Sequence, residues 1–106
     1  MVITTTESLP GRRITAVKGV AVGSTVRTKN IGKDIGAGFK SLVGGELKSY
    51  SAMLVEARSE ALSRMEAQAT ELGADAAVNL RFMTSAVASG ASEILAYATA
   101  VTTEPV

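Results

Sequence analysis

The 106-residue chain contains no cysteine, no histidine and no tryptophan. Without cysteine there are no disulfides, no thiolate metal ligands and no thiol nucleophiles. Without histidine there is neither an imidazole metal ligand nor the usual general base for a serine nucleophile. The composition therefore disfavours zinc, copper and cadmium sites of the common kinds, and it predicts neither a cofactor nor a catalytic triad.

Aromatic side chains and excess charge are also scarce. Aromatic residues make up 4% of the chain against 46% for all hydrophobic residues, so Val, Ile, Leu, Met and many Ala must fill a thin core. Eleven basic and ten acidic residues give a net charge of +1, which argues against nucleic acid or an anionic membrane as a partner. No apolar run approaches the roughly 20 residues of a membrane span. We expect one soluble, cytoplasmic domain over residues 1–106.

One long helix is the clearest positive feature. The amphipathic run from Glu46 to Leu72 lies between Gly44-Gly45 and Gly73, and Gly73 suits the left-handed residue that ends a helix. Glu60 and Arg64 have the spacing of an ion pair on the solvent side. The predicted buried face comprises Leu47, Tyr50, Leu54, Ala57, Ala61, Met65, Ala69 and Leu72, widened by Val55 and Leu62.

Short extended segments surround this helix. A strand beginning at Val2 precedes a turn at residues 8–11, and a second strand runs from Arg13 to Arg27, with a bulge or bend at Gly19 or Gly23. A short helix over residues 34–43 competes with a glycine-rich loop. The sequence therefore predicts two strands before the long helix.

A hairpin follows the helix. Val78, Leu80 and Phe82 alternate with polar or flexible neighbours, which predicts a strand with these three side chains on one face. A turn at residues 88–91 leads into a last strand from Glu93 to Thr103, whose two faces are both apolar. The fold class is therefore α+β, with a small, mostly antiparallel sheet and one long helix.

This architecture predicts self-association. Four strands make a sheet ~19 Å across, whereas a helix with its side chains is ~10–12 Å in diameter, so one helix covers about half of one sheet face. The opposite face, with its Ala, Ile and Val positions, stays bare. An apolar face of that size predicts a closed homo-oligomer in which neighbouring sheets join or stack. The alternative is that bends at Gly19 and Gly23 fold the sheet onto itself and hide that face.

Several stretches resemble the YbjQ family of uncharacterised bacterial and archaeal proteins. They are residues 38–50, residues 56–62 of the helix, the segment 72–76, the terminal segment 98–101 and the opening Thr4–Ser8 with Pro10-Gly11. Ala98 departs from the Gly that relatives tend to have there. The resemblance implies a dodecin-like α+β subunit that assembles as a ring of five. Some members carry a heavy-metal-binding label, but the resemblance supplies no catalytic or metal-binding residue.

The remaining candidates for chemistry are oxygen and nitrogen groups. Carboxylates at Glu46, Glu56, Glu60 or Glu93 could gather around a ring axis and hold a cation. The simpler interpretation is that they are solvated helix charges or members of ion pairs. Arg81 is interpreted as a solvent-facing residue, an inter-subunit ion-pair partner or a ligand contact.

The glycine-rich stretch offers a weaker candidate. An anion there would use Lys33 and Lys40, although the spacing fits neither a P-loop nor a dinucleotide turn. Lys40 beside Ser41 is not in itself a catalytic dyad, and Phe39 and Tyr50 are interpreted as core or interface anchors.

The leading hypothesis is a non-enzymatic protein that forms a ring-shaped homo-oligomer and has no assigned cellular role. Its alternatives are a module binding a small ligand or cation at subunit boundaries, and an enzyme whose site is shared between subunits.

Overall fold

The computed structural model describes residues 1–28 and 44–106, with the side chains of residues 44–47 left aside. The predicted short helix over residues 34–43 lies outside this range. The described elements are β1 (Val2–Ile3), β2 (Arg12–Thr28), α1 (Gly44–Glu71), β3 (Ala76–Ala88) and β4 (Ala91–Pro105). The fold is α+β, as predicted.

The strands form one sheet in the order β1-β3-β4-β2. β1 pairs with β3 in parallel, while β2 and β3 flank β4 in antiparallel register. The predicted hairpin is thus confirmed as β3 and β4 around the turn at Gly90. Because β2 stays paired with β4 from Arg12 to Thr28, the sheet does not fold back on itself at its glycines.

The helix α1 is present as the sequence predicts, except that it begins earlier and that one side of its predicted buried face is exposed. It begins at Gly44, so the two glycines lie inside the helix instead of before it. At its other end Gly73 has a φ of 84°, and the N–H groups of Gly73 and Ala74 donate to the carbonyls of Thr70 and Ala69. These two bonds form the predicted left-handed helix end.

Small side chains bring α1 close to the sheet. Met65 and three alanines of the helix are fully buried and pack on small residues of β2 and β4, which let the backbones approach. The helix alanines are Ala57, Ala61 and Ala69, and the sheet residues include Ala21, Ala96, Ala98 and Ala100. The prediction that Val55 is buried is wrong, since it is 56% exposed. Leu54 and Leu62 are partly buried.

The outer edge of β2 is protected by the helix. The backbone N–H of Val22 donates to Oε1 of Gln68, and Nη1 of Arg64 donates to the carbonyl oxygen of Ser24 at 2.6 Å. These side chains occupy backbone groups that would otherwise be open to another strand. The predicted bulge is also confirmed: the register shifts between Val17 and Gly19, where Gly19 has a φ of 136°.

β3 has a bulge of its own that was not predicted. Asn79 has a φ of 57°, and the register with β4 shifts between Val78 and Arg81. The bulge moves Val78 to the face opposite Leu80, which packs toward α1. The prediction that Val78, Leu80 and Phe82 share one face is therefore wrong, because one extra residue reverses the alternation.

Candidate functional site

The sheet face opposite α1 carries several exposed apolar side chains, and we call it the open face. Direct cross-strand partners share a face, so the register identifies its members. They are the exposed Val20, Val22 and Val26 of β2 and Met83 of β3, around the half-buried Leu95 and Tyr97 of β4. Val20 is 67% exposed and Met83 57% exposed.

Only one end of the open face is covered by the described residues. There Leu9, from the turn after β1, packs with Val78 and Val101, and Ile14 lies against them. The remainder has no covering element between this cluster and the hairpin turn, as far as residues 1–28 and 44–106 show. A bare apolar face is thus present among the described residues, but the prediction that it carries the Ala and Ile positions is wrong, since Ile94, Ala96 and Ala98 are buried against α1.

Two opposite charges also lie on the open face. Arg81 pairs directly with Tyr97, and Glu93 pairs with Val26 and Ser85, which places both charges beside the apolar residues. Nη1 of Arg81 donates to the carbonyl oxygens of Thr5 and Leu80 at 3.0 and 2.7 Å. The bulge at Asn79 is what turns Arg81 to this side, so the sequence alternation alone leaves its face undecided.

The edge of β3 differs from the protected edge of β2. The backbone N–H groups of Asn79 and Leu80 in β3 donate hydrogen bonds to the carbonyls of Thr6 and Thr4, near the start of the chain. Beyond them, residues 81–88 pair only with β4 among the described strands. Every side chain in that stretch is exposed, and none after Arg81 is charged. Such an edge is open to another strand.

A cleft of about 380 Å³ lies at the end of the sheet away from the turn between β3 and β4, and both apolar and polar residues line it. Val2, Leu9 and Ala76 are among its lining residues, together with Arg12, Asp75 and Thr103.

The polar groups of the cleft bind one another. Nε of Arg12 donates to Oγ1 of Thr103 at 2.7 Å, and the Thr103 hydroxyl donates to Asp75 at 3.0 Å. The backbone N–H of Thr103 also donates to Asp75, at 3.1 Å, and this bond is the main cause of a lowered pKa for the Asp75 carboxyl. Sequence analysis missed this cluster because its members are 28 and 91 residues apart along the chain. The arrangement ties β2, β4 and the turn after α1 together.

Glu60 forms ion pairs instead of a metal site. It pairs with Arg64, as predicted, and also with Arg27 of β2, so it is half-buried between two guanidinium groups. The hydrogen bond from Arg27 is the main cause of a lowered pKa for the Glu60 carboxyl. The prediction that this part of the helix surface meets only water is therefore too simple.

The other predicted carboxylates do not converge within one subunit. Glu56 is exposed on α1 and Glu93 lies on the open face, while the side chain of Glu46 is outside the described residues. In the described part of the chain no three acidic side chains come close enough to hold a metal ion. Together with the absence of cysteine and histidine from the sequence, this donor set does not fit a heavy-metal site within one protomer.

The predicted anion and dyad residues Lys33, Lys40 and Ser41, together with Phe39, lie outside the described residues. Tyr50 is half-buried on α1, which agrees with its interpretation as an anchor. No helix within the described ranges is long and apolar enough to cross a membrane.

A solved structure supports the fold. A crystal structure of a protein of unknown function of the DUF74 family from Pediococcus pentosaceus matches with a TM-score of 0.67 and 19% identity, over 98% of each chain. At this identity the likeness shows the fold alone.

Sequence relatives extend over the whole chain. A "UPF0145 protein" of Methanoculleus marisnigri is 57% identical over 99% of this chain and 98% of its own length. Another from Thermotoga petrophila is 53% identical over the full length of both. The YbjQ family model, described as "Putative heavy-metal-binding", matches residues 1–104. The resemblance noted in the sequence is confirmed, and the chain belongs to the YbjQ family.

Proposed function

We propose that this protein acts as a self-assembling structural unit, whose open face is buried against further copies of the same chain. The observation that supports this is the open face itself, with Val20, Val22, Val26 and Met83 exposed in the protomer. Burying apolar surface of this kind contributes roughly 25 cal/mol per Å² to association. A second copy of the chain is a suitable partner, because it is always present at the same concentration as the face itself.

The described chain offers more than one contact surface. The three long strands of the open face span ~14 Å at ~4.8 Å per strand and, with 13 to 17 residues each, run ~43–56 Å along their length. The open face is therefore comparable in area with the about 800 Å² that a stable interface buries on each partner. The free edge of β3 at residues 81–88 offers a second contact surface. Two different contact surfaces on one subunit are what a closed ring requires.

The family resemblance adds the size of the ring. A ring of five dodecin-like subunits predicts a particle mass about five times the chain mass of 10.9 kDa. Light scattering coupled to size exclusion at micromolar concentration measures this directly. A mass near 10.9 kDa would reject self-assembly altogether, whereas another multiple would reject only the number five.

A matched pair of substitutions tests whether the open face is the contact. Val20→Asp places a charge on the open face, and Val55→Asp places the same charge on an exposed valine of α1. Burying an unpaired charge costs about 3 kcal/mol or more, so Val20→Asp should weaken association at least about a hundredfold. Equal effects of the two substitutions, with both variants folded by circular dichroism, would remove the open face from the proposal.

The cleft at Arg12 and Asp75 supports a second candidate, a site for a small anionic ligand. Nη1 of Arg12 has no hydrogen-bond acceptor among the described residues, and Val2, Leu9 and Ala76 supply apolar contact. Carboxylate and phosphate groups are the usual partners of a guanidinium. Nuclear magnetic resonance titration with inorganic phosphate and acetate would shift the amide signals beside Arg12 if this holds. Equal shifts in an Arg12→Gln variant would exclude it.

A further inference from the structure

The cleft beside Thr103 combines one positive and one negative side chain. Among the described residues that line it, only Arg12 and Asp75 have charged side chains. The amino group of Met1, which also lines the cleft, forms an ion pair with Glu66 at 3.4 Å. The charges that the cleft offers to a ligand are therefore one guanidinium and one carboxylate, and they sum to zero.

Neither of these two charges has an ion-pair partner in the described part of the chain. The ion pairs within residues 1–28 and 44–106 involve other side chains. Arg12 and Asp75 are instead linked through Thr103, whose hydroxyl accepts from Nε of Arg12 at 2.7 Å and donates to Oδ1 of Asp75 at 3.0 Å. The two bonds hold the guanidinium and the carboxylate side by side, with one hydroxyl between them.

Both groups keep free hydrogen-bonding capacity. Nη1 of Arg12 has no acceptor within the described ranges, since Nε and Nη2 are the nitrogens that bind Thr103. The Asp75 carboxylate accepts from the hydroxyl and the backbone N–H of Thr103, whereas a carboxylate has about four acceptor positions. A ligand can therefore find a donor on Arg12 and an acceptor on Asp75.

The rest of the lining is mainly apolar. Leu9 and Ala76 are buried and belong to the cluster that covers one end of the open face, and the exposed Val2 pairs with Ala76. A volume of about 380 Å³ is near the lower end of the range for ligand sites, which suits a small molecule. An aliphatic group in the cleft would remove water from these side chains.

We propose that this cleft binds a small zwitterion with an aliphatic side chain, the chemical class of free leucine and valine. The carboxylate of the ligand pairs with Arg12, and its ammonium group pairs with Asp75. Its aliphatic side chain packs on Leu9 and Ala76. This inference rests on the anion site proposed above for Arg12, and it adds the second charged group that the ligand carries.

Charge balance distinguishes a zwitterion from a simple anion. An anion bound to Arg12 lies near the Asp75 carboxylate, and like charges repel each other there. A cation bound to Asp75 meets the same difficulty with Arg12. In a zwitterion the two charges are close together and each meets its opposite, so that the ligand complements the mixed charge of the cleft.

Three ligands that differ by one charged group test this inference on the native protein. They are leucine, isocaproate, which lacks the amino group, and isoamylamine, which lacks the carboxylate. Leucine should bind about tenfold more tightly than either analogue, because it makes both charged hydrogen bonds. Nuclear magnetic resonance titration measures the three affinities and shows whether the amide signals beside Arg12 and Asp75 are the ones that shift.

Two substitutions separate the two charged contacts. Arg12→Gln should lower the affinity for leucine to that of isoamylamine, and Asp75→Asn should lower it to that of isocaproate, in each case about tenfold. Arg13→Gln is the control, since Arg13 pairs with Glu104 and neither residue lines the cleft. Circular dichroism checks that Asp75→Asn is folded, and if it is not, the three ligands on the native protein decide.

The outcomes distinguish this inference from the anion site on which it rests. Either analogue binding the native protein as tightly as leucine would overturn the zwitterion. The anion site would still stand if isocaproate or inorganic phosphate shifted the amide signals beside Arg12 and lost that effect in Arg12→Gln. No shift with any of these ligands would overturn both.

Discussion

Gly23 of β2 lies directly beneath Ala61 of α1. A Cβ atom at position 23 would overlap the carbonyl oxygen of Ala61 and the amide nitrogen of Met65. The backbones of the helix and the strand therefore meet where neither carries a large side chain. This contact explains why the core on that side of the sheet is built mainly from alanine.

Gly23→Ala should lower the free energy of unfolding by about 3 kcal/mol, because the added methyl group forces the helix away from the sheet. Urea denaturation measures the change. Ser24→Ala is the matched control on the adjacent, exposed position and should stay within about 0.5 kcal/mol of the native protein. A Gly23→Ala variant as stable as that control would show that α1 and β2 are farther apart than the contact at Gly23 requires.

Asn79→Val should lower the free energy of unfolding by about 1–2 kcal/mol, because a β-branched side chain is strained at a φ of 57°. Asn79→Gly relieves that strain and should be within about 0.5 kcal/mol of the native protein. The comparison uses thermal and urea unfolding of the three proteins. If Asn79→Val were as stable as Asn79→Gly, this would contradict the left-handed conformation of Asn79 and with it the bulge in β3.

The ion pairs of Glu60 should make stability fall in acid. The folded-state pKa of Glu60 is lowered, mainly by the hydrogen bond from Arg27, below its ordinary value of 4.5. Its contribution is therefore fully present above pH 4.5 and is lost as pH falls through the folded-state value. Glu60→Gln should reduce stability at pH 7, and the difference from the native protein should shrink at lower pH. Glu56→Gln, at an exposed position of α1, should leave the stability unchanged both at pH 7 and at lower pH.

The Asp75 carboxyl should titrate below its ordinary pKa of 3.8, chiefly because the backbone N–H of Thr103 donates to it. Thr103→Val keeps that bond but removes the hydroxyl donor, so the pKa of Asp75 should rise part of the way toward 3.8. Carboxyl chemical shifts followed against pH measure it. An unchanged pKa in Thr103→Val would contradict the hydroxyl bond.

Calorimetric titration with zinc, copper, nickel and calcium should detect no binding tighter than millimolar. The chain has neither cysteine nor histidine, and the described carboxylates do not converge in threes. Stoichiometric binding at micromolar concentration would contradict this. A carboxylate ring made by several subunits would then be the remaining explanation, and Glu93→Gln and Glu56→Gln would show which residue contributes.

The predictions that held depend on local periodicity. The apolar residues of α1 recur every three or four positions, and Ala57, Ala61 and Ala69 are buried as that spacing requires. Gly73 ends the helix because a residue without Cβ adopts the left-handed conformation freely. The alternation of Leu95 with Ala96 likewise placed these residues on opposite faces of β4.

The predictions that failed depend on the relative placement of distant elements. Val55 continues the apolar stripe of α1 and yet is exposed, because the described sheet contacts only part of the helix surface. Likewise, the second partner of Glu60 is Arg27 of β2, 33 residues earlier in the chain, and helical spacing carries no information about it.

The sequence by itself determined the long helix, the hairpin, the family and the absence of soft metal ligands, since each follows from residue type or from short-range periodicity. Only the tertiary structure decided which sheet face lacks a cover, and that Arg81 and Glu93 both lie on it. The reason is physical: one extra residue at Asn79 reverses the side-chain alternation of β3, and the side of the sheet that the helix covers depends on packing across the whole chain.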